Sequence, residues 1–143
     1  MLPLPKSIAT VSISGTLAEK MEAAAVIGFD GVEIFENDLL TYEGTPKDIR
    51  YIAESLGLTI TCFQPFRDFG SIPEQQRARN MDRAKRKFDV MQQLGAELLL
   101  VCSNVSPASI DAAAARPAPW LFGWTTPNRR YLAPRHCCFM PAR

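Results

Sequence analysis

The chain contains a single histidine, His136, in 143 residues. Nothing in the sequence makes a Ser-His-Asp or Cys-His arrangement for nucleophilic catalysis. His136 stands beside Cys137 and Cys138, but adjacent side chains point in different directions, so the trio is a poor zinc cluster. Charge is also missing as a lead. Sixteen Lys and Arg against 15 Asp and Glu leave a net charge of +1, which gives no support for nucleic acid binding. No run of 18 apolar residues is available to span a membrane, and the start, MLPLPKS, lacks the basic-then-apolar order of a signal peptide. The four cysteines, Cys62, Cys102, Cys137 and Cys138, do not form the framework of a secreted disulfide scaffold, so a reducing cytoplasmic setting is expected. Cys62 and Cys102 end apolar runs and read as small hydrophobic residues. No Gly-rich dinucleotide fingerprint follows the first apolar run, where the turn reads SISGTL, and no P-loop follows any other.

What is present is enough apolar material for one core, with 47% hydrophobic and 22% charged residues. It is unevenly distributed. Residues 1–103 carry 11 basic and 14 acidic side chains, whereas residues 104–143 carry 5 and 1 and hold 6 of the 11 prolines and both tryptophans. The first part repeats one unit. Thr16 with Glu19, Thr45 with Asp48 and Ser71 with Glu74 have the spacing of helix capping boxes, and Pro46 suits a first helical position. Apolar stripes at helical spacing follow each start, and Gly28, Gly57 and Gly95 stand where helices stop. The intervening runs IATVSI, GVEIF, LTITCF and ELLLVCS are apolar and rich in β-branched residues, as parallel strands covered by helices are.

These signals predict strands over 8–13, 31–35, 58–63 and 97–102 and helices over 16–28, 46–57 and 74–95. The fold class is α/β. Four parallel strands leave a doubly wound sheet or part of an eight-stranded barrel, and a complete barrel takes about 250 residues. The expected architecture is therefore the first four strands and three helices of a (β/α)8 TIM barrel over residues 1–107. An irregular tail follows over 108–143, with a short alanine-rich helix at 108–115 and a weak strand at 120–124. The tail reads either as a loop and ragged terminus or as a truncated or frame-shifted end. Half a barrel would leave the first and fourth strands as unpaired edges, with self-association through them as one consequence.

In parallel βα architectures ligands meet the C-terminal ends of strands. That selects Ser12, Ser14, Glu33, Glu36, Gln64, Arg67, Ser103 and Asn104. Glu33 lies inside an apolar run, where an unpaired carboxylate is costly, so it is a candidate substrate-binding acid or the partner of a base such as Arg67. Arg67 sits in FQPFRDF, where Phe63, Phe66 and Phe69 would frame a guanidinium suited to a carboxylate or phosphate. The alternative is pairing with Asp68 or Glu33. Gln64 and Asn104 are candidate polar contacts. Ser12 and Ser103 lack a base and read as satisfied hydroxyls. Glu36 and Asp38 are expected to be solvated loop charges, and the basic run RAKRK at 83–87 to be a solvated helix face.

The runs AAVIGFDGVEIFENDLL (25–40), GLTITCFQPFRDF (57–69) and RARNMDRAKRKFDVMQQLGAELLLVCSNVS (77–106) resemble the sugar phosphate isomerase/epimerase superfamily of xylose isomerase-like barrels. The resemblance is strongest to the N-terminal domain of the bacterial 3-dehydroshikimate dehydratases and covers about residues 7–107. IFEND, FQPFRDF and LLLVCSNVS are its specific phrases, and GFDGVE is common to the whole superfamily. It implies a lyase that removes water from 3-dehydroshikimate to give 3,4-dihydroxybenzoate on the route from quinate and shikimate. A divalent metal, Mg²⁺, Mn²⁺ or Co²⁺, would stabilise the enolate formed at the ketone. On this reading Arg67 meets the substrate carboxylate and Glu33 is the inward-facing acid. The family's metal ligands come mostly from strands beyond the fourth, whereas the match ends just after Asn104, so no metal ligand is carried onto a residue of this chain and the chain is expected to be inactive in this form. A sugar or keto-acid isomerase or epimerase, and a non-catalytic domain binding an anion or a partner, are the alternatives. The expected partner is a small carboxylate substrate, with neither nucleic acid nor membrane.

Overall fold

A computed structural model describes residues 4–68, 74–102 and 138–141. Within them the chain runs β1 (Ser7–Ala9), α1 (Leu17–Ile27), β2 (Gly31–Phe35), α2 (Glu36–Leu40), α3 (Pro46–Ser55), β3 (Thr59–Phe66), α4 (Arg77–Leu94), β4 (Leu98–Val101) and β5 (Cys138–Pro141). The sheet order is β1-β2-β3-β4-β5. The first four strands are parallel, with Ser7 opposite Gly31, Gly31 opposite Thr59 and Phe63 opposite Leu99. This is the βα succession of the start of a TIM barrel.

Local chemistry accounts for the first helices. Thr16 caps α1 by accepting from the Glu19 N–H, while the Glu19 carboxylate accepts from the Thr16 N–H at 2.8 Å. Thr45 and Asp48 do the same at the start of α3, with Pro46 in its first turn. Two orphan donors are thereby satisfied at each start. Gly28 ends α1 at φ +87, with open space where a Cβ would stand, so glycine is required there by backbone conformation rather than by crowding. Gly31 is the opposite case: a Cβ would lie 2.7 Å from the Thr59 carbonyl oxygen, so a side chain cannot enter where β2 approaches β3.

Alternation along β2 sends Val32 and Ile34 to the helix-covered side and Glu33 and Phe35 to the other. Val32, Ile34, Ile60, Phe63 and Leu99 pack with Leu17, Met21, Ile49, Met91 and Leu94 from α1, α3 and α4. The core therefore occupies one side of the sheet, and the opposite side and the strand ends carry the polar groups.

Several elements depart from expectation. The first strand stops at Ala9, and Thr10–Ser12 form a 3-10 turn instead of continuing it. Thr10 is fully buried there, and its hydroxyl accepts the Phe35 N–H at 3.0 Å, which ties the end of β1 to that of β2. The segment after β2, read as a loop, is helical as α2. β3 continues through Gln64 and a cis Gln64–Pro65 peptide to Phe66. α4 begins at Arg77 after a 3-10 turn over Glu74–Gln76, with no side-chain cap from Gln76, and Ser71 lies outside the described residues. The outer edge of β4, expected to be unpaired, is hydrogen-bonded antiparallel to β5, with Leu98 opposite Pro141. The expected elements at 108–115 and 120–124 lie outside the described residues.

Candidate functional site

Sequence order along β2 and β3 puts Glu33 and Gln64 on neighbouring strands, and their side chains meet. Gln64 Nε2 donates to Glu33 Oε2 at 2.8 Å. Glu33 is the single acid in the strands β1 to β4, is half-buried, and among the described residues its side chain meets a neutral amide rather than a cation. A carboxylate oxygen that accepts one side-chain hydrogen bond has lone pairs left to accept others, so it can orient hydroxyl groups. Near it, Cys62 lies opposite Glu33 in the β2–β3 register and is 2% exposed. Burial, and then the Glu33 charge, push its thiol up to about 12. That is the chemistry of an inert buried thiol and not of a nucleophile.

Arg67 follows β3 directly, three residues beyond Gln64, and is exposed. Of the expected aromatic frame, Phe69 lies outside the described residues, and Phe63 and Phe66 take other cations. Arg83 lies 5.2 Å from the Phe66 ring centre, and Lys87 lies 5.3 Å from Phe63 and 5.8 Å from Phe66. The basic run on α4 is therefore not simply a solvated face. Arg83 and Lys87 turn towards the strand ends, whereas Lys85 and Arg86 are exposed. Helical periodicity explains the error: it separates the apolar stripe from the rest, but does not say which flanking cations snorkel over it.

Glu36 and Asp38 also differ from the solvated charges expected. Glu36 pairs with Lys87 of α4, and Asp38 pairs with Lys20 of α1 at 2.8 Å. The Lys20 and Asp38 side chains are 8% and 15% exposed, and Asp38 Oδ2 is buried without a hydrogen-bond partner. The short helix α2 is thus gripped from two neighbouring helices. Sequence reasoning missed Lys20, Arg83 and Lys87, and no local motif marks them. Lys20 alone carried a hint, as a lysine at 20 adjoining the apolar position Met21.

Ser12 and Ser14 are exposed, with no catalytic base reaching either in the described structure. Ser103, Asn104, His136 and Cys137 lie outside the described residues. A shallow pocket of about 290 Å³ is lined by Lys47, Arg50, Tyr51, Glu54, Gln92 and Gln93, all on α3 and α4 and none at a strand end. Among the described residues no three side chains of His, Cys, Asp and Glu are placed to hold a metal ion. No helix among them is long and apolar enough to cross a membrane.

The arrangement, parallel strands with Glu33 and Gln64 joined across β2 and β3 and Arg67 directly after β3, can be set against known proteins. The sequence profile of the xylose isomerase-like TIM barrel family matches residues 21–120. The chain belongs to that family. It is 58% identical over 111 residues to a 3-dehydroshikimate dehydratase of Pseudomonas aeruginosa, a match covering 78% of this chain and 18% of the relative. A 3-dehydroshikimate dehydratase of Pseudomonas putida is 61% identical over 102 residues, covering 71% of this chain and 16% of the relative. A solved structure of a xylose isomerase-like TIM barrel/4-hydroxyphenylpyruvate dioxygenase fusion protein superposes with a TM-score of 0.74 at 57% identity, over 76% of this chain and 18% of that one. The chain thus spans less than a fifth of the length of these relatives.

Proposed function

We propose that this chain carries the carboxylate-binding part of a lyase that dehydrates 3-dehydroshikimate. The observation that carries the reading is the 58% identity over 111 residues to an enzyme of that name. The geometry is compatible with it. Arg67 offers an exposed guanidinium at the end of β3, with five donors suited to a planar carboxylate. Glu33, held by Gln64, offers a fixed acceptor for a ring hydroxyl one strand away. Gln64 contributes by orienting Glu33, and Asn104 is proposed as a further polar contact on the basis of its position after β4.

The described residues do not assemble a donor set for the divalent metal that the resemblance implies. Glu33 is a lone acid engaged by an amide, and Glu36 and Asp38 are already committed to lysines. The role assigned to this chain is therefore substrate binding and orientation. Metal dependence belongs to the proposal for the longer family members.

Isothermal titration of the chain with 3-dehydroshikimate tests the reading. Saturable binding is expected, and Arg67→Ala should weaken it about tenfold or more, the effect of losing a hydrogen bond between charged groups. Equal affinity in the variant would reject the role of Arg67. Conversion of a ketose by the chain with added Mn²⁺, without aromatic product from 3-dehydroshikimate, would move the function to an isomerase or epimerase.

A further inference from the structure

Asp68 is a non-glycine residue with positive φ, at +55, and it comes directly after Arg67. An L-residue enters that region only when its surroundings hold it there, although aspartate tolerates it better than most. Here the holding groups come from α4. Asn80 Nδ2 donates to the Asp68 carbonyl at 2.8 Å, and Arg83 Nη1 reaches the same carbonyl at 3.4 Å. Arg83 Nη2 donates to the Arg67 carbonyl at 3.1 Å. The two side chains are themselves joined, Arg83 Nη1 donating to Asn80 Oδ1 at 3.3 Å. Asn80 is 6% exposed, and the Arg83 guanidinium is braced by the Phe66 ring.

Two consecutive carbonyls are thus fixed by one planar guanidinium and one buried amide. A lysine at position 83 could not span both carbonyls in a single plane. The arrangement spends a cation on backbone atoms and leaves the neighbouring Arg67 side chain facing solvent. We propose that Asn80 and Arg83 are positioning residues that hold the Arg67–Asp68 turn and thereby aim the Arg67 guanidinium at a carboxylate ligand. The inference rests on the reading of Arg67 given above and extends it to α4, a helix that supplies none of the proposed ligand contacts.

The test is a double-mutant cycle read by titration calorimetry, with 3,4-dihydroxybenzoate as the carboxylate probe. Arg83→Lys keeps the charge and loses the two-carbonyl geometry, and Asn80→Ala removes the buried donor. Each should weaken the probe about three- to tenfold in folded protein. In an Arg67→Ala background the same substitutions should have no further effect on affinity, because the group they aim is gone. A merely structural tie between β3 and α4 would lower the thermal midpoint and leave affinity unchanged. That result, or additive losses in the cycle, overturns the positioning role while the Arg67 reading stands. Unchanged affinity in Arg67→Ala, or no saturable binding by the unaltered chain, overturns the Arg67 reading and this inference with it. If Asn80→Ala does not fold, Arg83→Lys alone completes the cycle.

Discussion

The starts of α1 and α3 and the ends of β2 and β3 are held by similar atoms over very different chain distances. At the helix starts a threonine and an acid three residues on satisfy each other's backbone at the surface of the molecule. At the strand ends the partners are far apart in sequence: Lys20 with Asp38, Glu33 with Gln64, Glu36 with Lys87, and Arg83 with the Arg67 carbonyl. These contacts are half-buried or better for most of their members. The local pairs decide where an element begins. The distant pairs decide how the loops bearing the candidate site sit on the sheet. Breaking a distant pair should therefore cost more, and should disturb more of the molecule, than breaking a cap.

Lys20→Met should give the largest effect. It leaves the Asp38 carboxylate without its cation in a site where one oxygen already lacks a hydrogen-bond partner. Removing one member of a buried pair costs about 3 kcal/mol, because the surviving charge is neither solvated nor compensated. A urea denaturation midpoint should fall accordingly. The double variant Lys20→Met with Asp38→Leu should recover most of the loss, since replacing both charges removes the desolvation penalty. A single variant as stable as the unaltered chain would show that Asp38 reaches water in solution.

Lys87→Met should come next, at about 2 kcal/mol. The loss combines a charged hydrogen bond to Glu36 with the contact between the ammonium and the Phe63 and Phe66 rings. It should be smaller than that of Lys20→Met because Glu36 is 30% exposed, twice the figure for Asp38, and can recover hydration. Lys87→Arg should retain most of the stability in the same urea titration. Equal losses in the methionine and arginine variants would show that shape at position 87 matters more than charge.

The same division explains what could be read from the sequence. The capping boxes at Thr16 and Thr45, the stop at Gly28 and the strand GVEIF depend on neighbours within a few residues, and each is where the pattern puts it. The helix α2 was not legible, because ENDLL is a single turn and a half without a side-chain cap and is held by two lysines from other helices. Strand-end position alone singled out Glu33, Gln64 and Arg67, but not the bond between the first two, whose partners are 31 residues apart. Arg83 and Lys87 were hidden for a related reason. A helical stripe identifies the buried side, while the direction taken by a long cationic side chain at its margin depends on which rings and carbonyls the fold brings close. Phe63 and Phe66 were recognised as an aromatic frame, and the cations inside it come from a helix that begins ten or more residues later.

The caps give the smallest expected effects and carry a pH signature. Thr16→Ala and Thr45→Ala should each cost about 1 kcal/mol, as loss of an N-cap threonine does. Their pH dependence follows from the acids. Hydrogen bonds from the Thr16 N–H, and then from its hydroxyl, hold the Glu19 carboxyl below its usual 4.5, and Thr45 holds Asp48 below its usual 3.8 in the same way. A carboxyl lowered in the folded state stabilises it fully above the ordinary value, and that contribution is lost as pH falls through the ordinary value towards the lowered one. The urea midpoint of the unaltered chain should therefore decline as pH falls below about 4.5, the ordinary glutamate value. In the alanine variants the decline should be shallower, since the hydroxyl's share of the lowering is gone while the backbone N–H remains. Helical content measured at successive pH values would show whether this loss starts at the capped ends of α1 and α3, as short-range motifs require. A decline of the same slope in the variants would place the acid sensitivity outside the two caps.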